Sequence, residues 1–69
     1  MPFRKLSPHI QQRVQALEHV FKTSLRAGHE ALAWAYRNAA MALRRGDEIT
    51  TELWLEKADI EAHVLKVRA

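Results

Sequence analysis

Residues 31–43 read Ala-Leu-Ala-Trp-Ala-Tyr-Arg-Asn-Ala-Ala-Met-Ala-Leu, and this run is the most informative part of the chain. Only Arg37 and Asn38 in it are polar. The run is nevertheless too short to cross a bilayer, which takes roughly 20 apolar residues. A surface helix of a small domain needs a single apolar stripe of about 100°. This helix is apolar almost all the way round, so we expect its surplus surface to face another copy of the chain or a partner.

The chain is so short that its hydrophobic core alone is expected to give limited stability. Its 69 residues predict one domain, residues 1–69, in which residues 1–7 form an N-terminal arm. Domains of this size are commonly stabilised by disulfides, by a metal or by oligomerisation. There is no cysteine, which excludes disulfides and thiolate metal sites. Oligomerisation is therefore the expected solution.

The charges are distributed unevenly. Residues 1–46 carry eight Lys or Arg against two Glu, a net +6, whereas residues 47–69 carry three against six acidic residues, a net −3. A basic helix packing beside an acidic one is the simplest interpretation; a basic face for nucleic acid is the alternative. The N-terminus lacks the apolar segment of a signal peptide, and no stretch predicts a membrane span, so we expect a cytoplasmic protein.

The first helix begins at Ser7-Pro8, because serine is a good N-cap and proline suits the first helical turn. Apolar residues and Gly28 then follow at spacings of three or four without a change of phase, and we call this row the seam. This continuity favours one long helix over about residues 8–45, in which Gly28 allows another backbone to approach closely. A helix stop at Gly28, which would give three helices, is the alternative.

The second helix is predicted over about residues 50–67. Arg44-Arg45-Gly46 is a typical helix stop. Thr50 is the expected N-cap, with a hydrophobic staple between Ile49 and Trp54, although a start at Asp47 is the alternative. A short loop makes the helices antiparallel neighbours. The predicted fold class is therefore all-α, an antiparallel helical hairpin.

The second helix carries two apolar stripes, and one neighbouring helix covers only one of them. Leu53, Ile60, Val64 and Val67 form one stripe; Trp54, Ala58 and Leu65 lie roughly 120° away, with Leu55 and Ala62 beyond them. The surplus predicts a homodimer that forms a four-helix assembly. The residues expected in the dimer or hairpin core are Ile10, Val14, Leu17, Phe21, Leu25, Gly28, Leu32, Tyr36, Trp54, Ile60, Val64 and Leu65.

The first helix also has apolar residues that the seam does not include. Trp34 and Met41 lie seven residues apart on the side nearly opposite the seam. A tryptophan and a methionine among arginines are typical of an interface hot spot. The predicted partner-binding residues are Trp34, Arg37, Met41 and Arg45, with Glu30 and Arg26 at the edge. Burial under the dimer mate, or under the N-terminal arm with Phe3 and Leu6, is the alternative.

No constellation of residues points to catalysis, a metal or a cofactor, so we expect a protein that is not an enzyme. None of His9, His19, His29 and His63 forms a His-x-x-x-His or Glu-x-x-His pair. Asp59 and His63 lie one helical turn apart, but such a pair on an exposed helix face is usually solvated. A break at Gly28 would resemble a helix-turn-helix domain, but its last helix would present Glu52, Glu56, Asp59 and Glu61 to phosphates, which disfavours DNA. RNA binding by the first-helix face of a dimeric hairpin remains the alternative function.

The long helix, the Arg-Arg-Gly-Asp-Glu turn and the shorter helix, in a short chain without cysteine, resemble a family of small phage-encoded helical hairpins. Among these, the plan is similar to the anti-quorum-sensing proteins of temperate Pseudomonas phages. The resemblance covers size and plan, and no binding residue is carried over from it. It implies a dimeric inhibitor that binds a host regulatory protein, a LuxR-type quorum-sensing activator, and also the type IV pilus assembly ATPase.

Overall fold

The computed structural model describes residues 7–68 and folds them into three helices, α1 (Pro8–Arg26), α2 (Glu30–Arg44) and α3 (Glu48–Arg68). The all-α prediction is confirmed. The start of α1 is also as predicted: the Ile10 N–H donates to the Ser7 hydroxyl at 3.2 Å, and Pro8 opens the helix. Apart from Ser7, the predicted N-terminal arm lies outside the described residues.

The predicted long helix over residues 8–45 is wrong, because the chain turns at Gly28. Gly28 has φ +82°, a left-handed conformation that ends helices. Its N–H donates to the Leu25 carbonyl at 3.0 Å, and the His29 N–H donates to the Ser24 carbonyl at 2.9 Å. These two bonds form a Schellman motif, which satisfies the last carbonyls of α1. The expected role of Gly28 inside a helix seam is therefore wrong as well, since it lies exposed in a turn.

The second turn repeats the first. Gly46 has φ +77°, its N–H donates to the Leu43 carbonyl, and the Asp47 N–H donates to the Ala42 carbonyl, both at 3.0 Å. The stop predicted at Arg44-Arg45-Gly46 is thus confirmed.

The third helix begins earlier than predicted, at Glu48, with Asp47 rather than Thr50 in the capping position. The Asp47 carboxylate accepts from the Thr50 N–H at 3.0 Å and from the Thr50 hydroxyl at 2.7 Å. These bonds, together with the charge of Arg45, hold the pKa of Asp47 below its ordinary value. The predicted staple between Ile49 and Trp54 is wrong, because Ile49 follows the cap and is 76% exposed.

The apolar run at residues 31–43 is the central helix, since α2 packs against both α1 and α3. Within residues 7–68, α1 and α3 make no helix-to-helix packing with one another. Small side chains let both neighbours approach: the buried residues of α2 are Ala33, Ala35, Ala39, Ala40, Ala42 and Leu43. Its surplus apolar surface is therefore covered largely by the same chain. Over the described residues, no helix is long and apolar enough to cross a membrane.

Nine of the twelve residues predicted for the core are buried or half-buried, and Leu25, Gly28 and Ile60 are exposed. Val14 is 2% exposed, whereas Leu25 and Ile60 expose 45% and 53% of their surfaces. The half-buried residues are Ile10, Leu17, Phe21, Leu32, Tyr36, Trp54, Val64 and Leu65. Helix α3 faces α2 through Thr51 and Ala58, which are fully buried. In the predicted stripe that begins at Leu53, the residues Leu53, Ile60 and Val67 are exposed.

Three ion pairs lie on the surface of the described chain. Arg44 pairs with Glu18 at 2.8 Å and links α2 to α1, and Lys57 pairs with Glu61 at 3.2 Å along α3. The third pair, Arg13 with Glu48 at 3.3 Å, joins the basic and acidic segments. Exposed pairs contribute little to stability, so the packing of α2 holds the fold.

Candidate functional site, the α1–α2 groove

The outward face of α2 carries two large apolar side chains. Trp34 is 48% exposed and Met41 is 45% exposed. The helical turn of 100° per residue places both on the side of α2 that its neighbours cover only in part, with Arg37 between them in sequence. Half-exposed side chains of this kind are available to a partner without unfolding the protein.

The first functional feature is an aromatic cluster made of Phe21, Trp34 and Arg37. The Phe21 and Trp34 ring centroids are 6.2 Å apart with an interplanar angle of 53°. The guanidinium carbon of Arg37 lies 5.0 Å from the Trp34 ring centroid and 6.0 Å from that of Phe21. Both distances fall within the range of cation–π attraction. These contacts place Trp34 and Arg37 together on the surface, against Phe21 of α1.

Beside the cluster, helices α1 and α2 border a groove of about 310 Å³, which we call the α1–α2 groove. Phe21, Ala40 and Met41 supply its apolar lining. The remaining residues that line it are charged: Glu18, Lys22, Arg37 and Arg44. Its volume is enough for one or two large side chains and lies at the lower end of the range for small-molecule pockets.

The charge of the α1–α2 groove is positive. Glu18 is already paired with Arg44 at 2.8 Å, so its carboxylate offsets that one cation. Lys22 and Arg37 form no ion pair with any carboxylate among residues 7–68. The groove therefore combines apolar walls with two uncompensated cations, a surface that attracts carboxylates beside an apolar side chain.

The residues predicted to bind a partner do not all come together. Arg37 and Met41 line the α1–α2 groove, and Trp34 joins them through its contact with Arg37. Glu30 instead lines a separate, smaller groove of about 190 Å³ between α2 and α3, with Leu32 and Val64 among its other residues. Arg26 and Arg45 are exposed and line neither groove.

Phe21 was predicted for the core rather than for partner binding, and Lys22 and Glu18 were predicted for neither, because a continuous helix was favoured over a break at Gly28. In a continuous helix Phe21 and Trp34 would lie about 20 Å apart along the axis, at about 1.5 Å per residue. The turn at Gly28 folds α1 back along α2 and brings the two rings into contact. The sequence signal that was available is the Arg-Ala-Gly-His run, which matches the Arg-Arg-Gly-Asp turn in pattern.

No group of three or more His, Asp or Glu side chains is placed to hold a metal ion within residues 7–68. Comparison with protein-family models, with curated proteins and with solved structures finds no match to this chain. The α1–α2 groove is therefore the feature on which a functional proposal rests.

Proposed function

We propose that this chain is a small non-enzymatic regulator that acts as a homodimer and inhibits another protein by binding it in the α1–α2 groove. The observation that carries the proposal is Arg37 held against Trp34 at 5.0 Å, next to the half-exposed Met41. Tryptophan and arginine dominate binding energy at protein interfaces, and methionine adapts to varied apolar partners. A cluster that is already ordered loses little conformational entropy on binding.

The chemistry of the groove favours an acidic amphipathic helix as the occupant. Its apolar side would fill the space beside Phe21 and Met41, while its carboxylates would lie near Lys22 and Arg37. Binding there would inhibit the partner by covering its DNA-binding or dimer surface, or by competing for a helix that the partner needs. The resemblance of plan to phage anti-quorum-sensing proteins adds candidate targets, a LuxR-type activator and the pilus assembly ATPase.

The proposal is tested with a labelled helical peptide that carries leucines on one face and glutamates beside them. Fluorescence anisotropy is expected to show binding that weakens at least about thirtyfold in Arg37→Glu, the loss of a hot spot of roughly 2 kcal/mol. Lys57→Glu, which reverses a charge on α3 away from the groove, is the matched control and should leave affinity unchanged. A peptide with lysines in place of the glutamates should not bind.

The natural partner is then sought by affinity capture with the wild-type protein and with Arg37→Glu side by side. Proteins retained by the first and lost by the second are the expected result, and the two candidate targets are assayed directly in purified form. Equal capture by both variants, or recovery of RNA alone with strong dependence on salt, contradicts the proposal and favours the RNA-binding alternative.

A further inference from the structure

The outer face of α3 carries an apolar stripe that no other part of the described chain covers. Its four large members are Ile49, Leu53, Ile60 and Val67, which expose 76%, 60%, 53% and 70% of their surfaces. At 100° per residue these positions fall within a sector of about 40°. The opposite face of α3 is the one that packs on α2, through the fully buried Thr51 and Ala58.

The spacing of this outer stripe matches the requirements of helix pairing. Leu53, Ile60 and Val67 are each seven residues apart, an interval that returns a helix to within about 20° of the same side and is typical of paired helices. An exposed apolar row of this kind is typical of an interaction surface.

The charges along α3 favour pairing with a second copy of α3 in the antiparallel direction. The first half of α3 carries Glu48, Glu52 and Glu56, and its last turn carries Lys66 and Arg68. Asp59 and the Lys57–Glu61 ion pair lie between these two groups. A second α3 lying antiparallel would place its basic end beside the acidic start of the first. A parallel arrangement would set like charges side by side, which is unfavourable.

We propose that two copies of the chain pair through the outer stripes of α3, antiparallel, about a two-fold axis at Ile60. In this register Ile60 meets Ile60, and Leu53 meets Val67 of the second copy. On one flank Glu56 lies beside His63 of the second copy, and Glu52 beside Lys66. Ile49 would face a position beyond Arg68, where α3 of the second copy ends, so it stays outside the helix pair.

This interface rests on the proposed homodimer and gives it a geometry. Since every residue lining the α1–α2 groove belongs to α1 or α2, pairing through α3 leaves both grooves open. The dimer therefore carries two separate binding grooves, and one dimer binds two partner helices.

The interface is tested by measuring molar mass with light scattering. The wild-type protein is expected at twice 8.0 kDa, and Ile60→Glu at 8.0 kDa with unchanged helical circular dichroism. Ile49→Glu is the matched control: it adds the same charge to the same stripe and should remain dimeric. In a parallel pair Ile49 would meet its own copy, so loss of the dimer in Ile49→Glu contradicts the antiparallel register.

Cysteine cross-linking tests the register independently, because the chain has no cysteine of its own. Ile60→Cys should oxidise to a covalent dimer. Leu53→Cys alone should not, since the two thiols would be separated by about 21 Å, fourteen residues along the helix. Mixing Leu53→Cys with Val67→Cys should restore cross-linking between the two variants.

The outcomes separate this inference from the function on which it rests. A wild-type dimer that persists in Ile60→Glu overturns the α3 interface and leaves the homodimer standing. A wild-type mass of 8.0 kDa overturns both, while the peptide assay on the α1–α2 groove still reports on partner binding.

Discussion

Gly28 and Gly46 occupy the same position in two turns of the same design. Both have positive φ, +82° and +77°. In each turn the N–H of the glycine and the N–H of the next residue donate to carbonyls near the end of the preceding helix and form a Schellman motif. A Cβ added at either position would meet nothing within 4 Å. The need for glycine at each turn is therefore a need of the backbone and not of packing.

Replacing Gly28 by alanine is expected to destabilise the protein by about 1–2 kcal/mol, the cost of a left-handed conformation for a residue with a Cβ. Gly46→Ala should cost the same, and Gly28→Asn less, because asparagine tolerates this conformation. Urea unfolding measures all three. In a continuous helix Gly28→Ala would instead stabilise by about 1 kcal/mol, so the sign of the change distinguishes the two folds.

Leu43 is the largest apolar side chain that the described core buries completely. Leu43→Ala should lower the free energy of unfolding by about 2–5 kcal/mol, since it leaves a cavity between helices. Met41→Ala removes a side chain of similar size from the exposed face of the same helix and is the control. Similar losses of stability for both variants would contradict the placement of α2.

The capping carboxylate of Asp47 makes stability depend on pH. Its pKa is held down by the Thr50 hydroxyl and N–H and by Arg45, so folding favours the ionised form. The stabilisation is complete above the unfolded value of about 3.9 and is lost as pH falls through the lower folded value. The stability difference between wild type and Asp47→Asn should therefore be larger at neutral pH than in strong acid. A difference that does not change with pH would show that the ionised cap has no effect.

The contact of Arg37 with Trp34 is expected to contribute about 0.5–1 kcal/mol, the range for an exposed cation–π pair. A double-mutant cycle with Arg37→Ala and Trp34→Ala, followed by urea unfolding, measures this coupling. Fluorescence in a Trp54→Phe background isolates the emission of Trp34 and should shift when Arg37 is removed. A coupling of zero would mean that the two side chains are not held together in solution.

The sequence was sufficient to predict the helical class, the cap at Ser7 and the turn at Gly46. The prediction of a continuous helix through Gly28 was wrong because the turn there is three residues long, close to the 3.6 residues of one helical turn. The apolar seam therefore resumes after the break at the interval that an uninterrupted helix would show. Phase continuity across a glycine is weak support for a continuous helix when a short turn preserves the same spacing.

The candidate site was predicted in part. The pattern identified Trp34, Arg37 and Met41 as one face of a helix, because helical periodicity is a local property. Phe21 and Lys22 come from a different helix, and only the tertiary fold brings them to the same groove. The three-helix fold also explains why residues 31–43 are apolar on more than one face. A central helix with a neighbour on each side needs two apolar faces.

Within residues 7–68, α1 and α3 each pack along α2 and are linked to one another by an ion pair but not by helix packing. This arrangement has a kinetic consequence. Every major interface joins helices that are consecutive in the chain, so the loops that must close during folding are short. Proteins dominated by such local contacts fold in microseconds to milliseconds. The same arrangement allows either outer helix to detach while the remaining pair keeps its contacts. Hydrogen exchange should therefore be slowest in α2, with α1 and α3 opening as separate units.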